Sequence, residues 1–167
     1  ALVRRWDEAV RGRLHGVHLT GPAGMGKTRL LQEVGARLNS MRRDVMHARA
    51  DWASRGIEWS FASDLIGRLC SLPGALGVAP RTASVLVGLA PAAAEVFKGV
   101  SVSANQATET VARRGALREL LGALSEERPL ALLLDDMHWC DATSRDVLFS
   151  ALEGLDRNRL MVVGGQS

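Results

Sequence analysis

The chain has 167 residues, 47% hydrophobic and 23% charged, with 21 basic against 18 acidic side chains for a net charge of +3. That length and balance fit one compact globular domain and exclude disorder, collagen and coiled coil. The excess charge is too small and dispersed to imply nucleic-acid binding despite a pI of about 9.5. Arg42–Arg43 and Arg113–Arg114 are only pairs and read as solvated helix faces.

The opening ALVRRWDEAV is amphipathic and charged, unlike a signal peptide. It predicts a short helix over residues 2–11, with Leu2, Trp6, Ala9 and Val10 on one face. His15 to Thr20 reads as a strand that ends at Gly21. Lys27 to Leu38 reads as a helix on the stripe Leu30, Leu31, Val34 and Leu38. Val45 to Ala50 predicts a second strand, and Glu58 to Cys70 a helix with Phe61, Leu65, Ile66 and Leu69 inward.

Residues 71–80 are Gly/Pro-rich and predict a loop; residues 81–98 predict a helix interrupted at Pro91. The most apolar stretch, Ala83 to Ala94, is broken by Gly88 and Pro91. It falls short of the ~20 residues that span a bilayer, so no membrane partner is expected. Residues 100–106 are small and polar and read as a loop or hinge. Residues 107–125 predict a helix on Leu117, Leu120, Leu121 and Leu124.

Leu130 to Leu134 is a continuous apolar run, as in a strand buried on both faces. Ser144 to Leu155 predicts a helix with Leu148, Ala151, Leu152 and Leu155 inward and Asp141 or Thr143 as N-cap. Leu160 to Val163 predicts a final strand. Strands alternating with helices predict an α/β fold with a parallel sheet. Two cysteines far apart, Cys70 and Cys140, exclude a disulfide framework and point to the reducing cytoplasm.

The segment Gly21-Pro22-Ala23-Gly24-Met25-Gly26-Lys27-Thr28 matches G-x-x-x-x-G-K-[ST] in full. Glycines let the backbone turn tightly and present N–H groups to phosphate oxygens, and the helix that follows adds its positive end. Lys27 is expected to reach the β- and γ-phosphates, and the Thr28 hydroxyl to bind Mg²⁺. The motif follows a predicted strand and opens an amphipathic helix, the context it requires.

The second constellation is the apolar run ending in Asp135-Asp136. A buried strand fixes Asp135, whose carboxylate can hold Mg²⁺ through water. Asp136 points elsewhere and is expected to orient the attacking water as catalytic base. Alone, the two acids read equally well as a solvated cap; the phosphate loop upstream decides between these. His138 and Cys140 stand at i, i+2 without a second pair, too little for zinc. Trp139 is expected to pack the loop and Asp141 to cap the next helix.

The combination GPAGMGKTRLL and ERPLALLLDDMHWCDATS resembles the ATPase domain of the STAND class, and within it the large ATP-binding LuxR-type transcriptional regulators of bacteria. Glu58-Trp-Ser-Phe61 with Leu65, and Leu89-Ala-Pro91, resemble their intervening helical region. The likeness covers nearly the whole chain, strongly at the two motifs and loosely between them. It implies a P-loop NTPase three-layer αβα sandwich with a mainly parallel sheet. An inserted strand, here Leu160–Val163, separates the phosphate-loop (Walker A) strand from the acidic (Walker B) strand.

The resemblance also implies ATP rather than GTP, possible self-association through the ATPase face, and a switch coupling nucleotide state to assembly or transcription. The absence of an N-K-x-D stretch agrees with ATP. At the end of the chain the family often carries a polar or arginine sensor; here Gln166 stands in that region and the arginine is missing. No segment corresponds to the last core strand, the lid, the winged helix or a DNA-binding helix-turn-helix. The chain is therefore expected to be a C-terminally truncated core, touching DNA only through domains it lacks.

Its expected parts are a leading helix (1–13), a phosphate-loop half (14–50), a helical insert (51–106) and the acidic-strand half (107–167). Arg29 is expected to pack or pair on its helix surface, and Arg145 to lie on a plain helix surface rather than act in trans. The leading functional expectation is a Mg–ATP-binding regulatory module with slow hydrolysis. A nucleotide-holding interaction module without turnover is the alternative, and a P-loop kinase a third.

Overall fold

In a computed structural model the described residues are 2–102 and 110–166. The element order is α1 (Leu2–Val10), β1 (His15–Thr20), α2 (Lys27–Ser40), β2 (Asp44–Arg49), α3 (Ser60–Leu69), α4 (Pro80–Leu89), α5 (Thr110–Glu127), β3 (Leu130–Asp135), α6 (Ala142–Leu152) and β4 (Leu160–Gln166). The strands form one parallel sheet in the order β1-β4-β3-β2. The last strand in sequence thus lies between the phosphate-loop strand and the acidic strand, as expected of an inserted strand.

Burial follows from that order. All six residues of β3 are buried. Leu130, Leu132 and Leu134 belong to the core beneath α3–α6, while Ala131 and Leu133 belong to the core beneath α1 and α2. β4 divides in the same way, Leu160 and Val162 against Met161 and Val163. This two-sided burial is why both strands are continuously apolar. β1 is an edge, and its burial alternates, with Gly16, His18 and Thr20 exposed. On β2, the opposite edge, an Arg68 Nη2 donates to the His47 carbonyl at 2.5 Å, occupying one acceptor of that edge.

Several boundaries move for local reasons. Trp59 takes a left-handed backbone (φ 68°), so α3 starts at Ser60 rather than Glu58. The helix predicted over 81–98 is two pieces: α4 stops at Leu89, and Pro91–Glu95 forms a 3-10 segment, because a proline cannot continue the ladder. The loop over 71–80 carries a single 3-10 turn at Ala75–Gly77. Residues 103–106 of the predicted hinge and 107–109 of the predicted helix lie outside the described residues.

α6 begins on Asp141, whose Oδ1 accepts from Ser144 N at 2.8 Å. The same carboxylate also accepts from Trp59 N (3.2 Å) and Phe61 N (3.5 Å), and Ser144 Oγ accepts from Ala62 N at 2.9 Å. One buried side chain therefore caps α6 and secures the start of α3. Cys70 and Cys140 are buried and free. Among the described residues no helix is long and apolar enough to cross a membrane.

Candidate nucleotide site

The phosphate loop leaves β1 at the C-terminal edge of the sheet. Gly24 and Gly26 adopt φ of 82° and 84°, a left-handed conformation that a side chain would strain. Gly26 is the N-cap of α2, and no side chain caps that helix. The N–H groups of its first turn therefore have no side-chain acceptor, and with the helix dipole they favour an anion. α2 lies close on the sheet at Gly35, where a Cβ would meet Leu133 Cδ1 at 3.1 Å.

The Lys27 ammonium folds back over the loop, donating to the Gly21 carbonyl at 2.6 Å and the Pro22 carbonyl at 2.8 Å. Two backbone oxygens thus stand where phosphate oxygens would compete for the same donor. The Thr28 hydroxyl is half-buried and makes no hydrogen bond among the described residues. Pro22, Ala23 and Met25 are exposed on the loop; the Met25 side chain is 71% exposed.

Asp135 ends β3 and is 1% exposed. Its Oδ1 accepts from Asp136 N at 3.0 Å, while its Oδ2 is buried with no partner. A buried carboxylate oxygen without a donor is costly unless a cation or water completes it. Gly165 on β4 lies against the other carboxylate oxygen: a Cβ there would lie 3.4 Å from Asp135 Oδ1. Among the described residues no group of three or more His, Cys, Asp or Glu could hold a metal, and none includes His138 or Cys140. Thr28 and Asp135 suit Mg²⁺ instead, which takes few protein ligands and fills its shell with water and phosphate oxygens.

Asp136 turns away from the strand direction through a left-handed backbone (φ 53°, ψ 36°). Its Oδ2 accepts from Arg49 Nε at 2.8 Å and forms an ion pair with Arg49 Nη2 at 2.8 Å. Arg49 is the last residue of β2, in register with Asp135. Sequence reasoning missed it. The available signal was an arginine at the C-terminal end of a predicted strand, the edge where the loops after β1 and β3 also lie.

The remaining predicted residues fall as follows. Gln166 is exposed at the end of β4, where it lines a groove with Val162, Gly164 and Phe149. By strand alternation that is the face opposite Gly165 and Asp135, so Gln166 is not brought together with them. Arg29 pairs with Glu33 at 2.9 Å. Arg145 stands exposed on α6, 4.0 Å from Asp146.

A parallel α/β sheet with a glycine loop before an uncapped helix and a buried acid at the same edge, one strand removed, defines a nucleotide-binding domain. The family model described as AAA ATPase domain matches residues 1–163, and the chain belongs to that family. It is 28% identical over 165 aligned residues, 87% of the chain, to an uncharacterised protein of Rhizobium meliloti (strain 1021). The chain spans 16% of that relative's length. The ORC2 protein of Aeropyrum pernix, solved as ADPNP and ADP complexes, aligns over 99% of this chain and 39% of its own, with 18% identity and a TM-score of 0.49. Family membership implies nucleotide binding.

Proposed function

We propose that this chain is the Mg–ATP-binding core of a STAND-class, LuxR-type regulator and works as a slowly hydrolysing switch. Residues 21–28 cradle the phosphates, with Lys27 moving from its two loop carbonyls to the β- and γ-phosphates. Thr28 and Asp135 hold Mg²⁺, which neutralises phosphate charge when bound. Asp136 orients water and takes its proton. The observation that carries this reading is the buried Oδ2 of Asp135, which has no hydrogen-bond partner among the described residues.

The four parts of the chain then have separate duties. The leading helix and phosphate-loop half bind, the helical insert braces β2 and β3, and the acidic-strand half senses. Gln166 remains the sensor proposed at the end of β4. Self-association through the ATPase face, DNA contact through other domains of a longer protein, and a cytoplasmic setting complete the proposal.

Calorimetric titration with Mg–ATP and Mg–ADP tests it, with Lys27→Ala as control. The expected result is binding by the wild-type chain, lost in Lys27→Ala, with ATP preferred over ADP. Absence of binding by a folded chain refutes the reading. The grip of Arg49 on Asp136 favours a second reading, nucleotide held without turnover. On that reading Asp136→Asn changes neither activity nor assembly.

A further inference from the structure

The proposed site has a charge problem. Hydrolysis builds negative charge on the γ-phosphoryl oxygens, and the only basic residue in the loop motif is Lys27. Arg29 is 83% exposed and paired with Glu33. Arg49 is the cation the fold brings to this edge. Pairing β2 beside β3 puts its guanidinium on Asp136, Nε donating to Oδ2 at 2.8 Å and Nη2 in an ion pair with the same oxygen at 2.8 Å, across 87 residues of sequence.

The geometry sets its reach. A base lies about 2.6–3.2 Å from the water it deprotonates, and that water about 3–3.5 Å from the atom it attacks. A guanidinium in contact with the same carboxylate is therefore separated from the attacked atom by that carboxylate and one water. Arg49 is also free to cover that distance. Its side chain is 65% exposed and borders an open cleft of about 250 Å³ beside Phe61, Asp64 and Trp139. Asp136, by contrast, is only 19% exposed and held by its turn. A planar donor fork with several N–H groups can keep one contact to a carboxylate and offer others to phosphate.

We propose that Arg49 is a catalytic cation supplied by the chain itself, shared between Asp136 and the γ-phosphate. This rests on the Mg–ATP reading above. In the step it serves, the water oxygen bonds to the γ-phosphorus as the bond from that phosphorus to the β,γ-bridging oxygen breaks. The bridging electron pair leaves with ADP, and the water proton passes to Asp136. Arg49 carries no proton in this sequence. It neutralises charge on the transferring group and holds the Asp136 carboxylate in place.

The test is calorimetric binding of Mg–ADP, Mg–ATP and Mg–ADP–aluminium fluoride to the wild-type chain, Arg49→Gln and Arg49→Lys. The fluoride complex mimics the transferring phosphoryl group, so this readout does not depend on turnover. Arg49→Gln is expected to bind the fluoride complex at least about tenfold more weakly, and ADP within about twofold of wild type. Turnover by Arg49→Gln is expected to fall by about 10³-fold. Arg49→Lys, which keeps the charge and loses the fork, is expected to fall between the two and guards against a folding defect. Unchanged or tighter binding of the fluoride complex by both variants, or faster turnover, would overturn the role and leave Arg49 a mere restraint on Asp136. A wild-type chain that binds no nucleotide would remove the proposed function itself, and this role with it.

Discussion

Asp141→Ala isolates the contact that ties the two helical ends nearest the site together. The carboxylate caps α6 through Ser144 N at 2.8 Å and holds the start of α3 through Trp59 N at 3.2 Å, with Phe61 N at the 3.5 Å limit. Losing an N-cap costs about 1–2 kcal/mol. The Trp59 contact, charge-assisted but long, adds about 1 kcal/mol, and the 3.5 Å contact adds little. The expected loss is thus about 2–3 kcal/mol, read as a lower urea midpoint at unchanged slope. At about 2–4 °C per kcal/mol for a domain of this size, the melting temperature should fall by about 4–12 °C. Asp141→Asn keeps a capping acceptor and should cost about 1 kcal/mol. A loss below about 1 kcal/mol for Asp141→Ala would refute the idea that one carboxylate joins α3 to α6.

Two further outcomes follow from the same structure. Gly26→Ala places a side chain at φ 84° with open space around its Cβ, so backbone strain rather than a clash should lower stability by about 1–2 kcal/mol; no loss in a denaturation curve would contradict the left-handed cap. Burial pushes both the Cys70 and Cys140 thiols up to about 12, Asp141 adding to the effect at Cys140 and Arg145 opposing it. Alkylation at pH 8 should therefore proceed only as fast as the chain opens. Because the unfolded thiols ionise near their ordinary value of 9.0 and the folded ones do not, stability should decline as pH rises from 9.0 towards 12. Rapid labelling of either cysteine in the native chain would contradict its burial.

The resemblance to STAND regulators reached the α/β class and the inserted position of the last strand, because motif order and strand alternation are encoded in linear spacing. Family membership was reached at the level of the AAA ATPase domain. The strand β3 was legible because a run buried on both faces must be apolar at every position, and α2 because its stripe repeats every turn. Asp141 was legible as a cap because capping is a contact over three residues. Its second attachment, to the start of α3 some eighty residues away, left no trace in local spacing.

The sequence by itself determined what depends on near neighbours: the glycine loop opening into a helix, the two-sided burial of β3, and the acids at a strand end. Only the tertiary structure decided what depends on which strands lie side by side. It placed Arg49 on Asp136, set Gly165 beside Asp135, and left one oxygen of that carboxylate without a partner. Gln166, one residue further along β4, it turned to the other face. The physical reason is that a strand's alternation fixes its own two faces, whereas the neighbours each face meets are set by the order and register of the sheet, which join residues far apart in the chain.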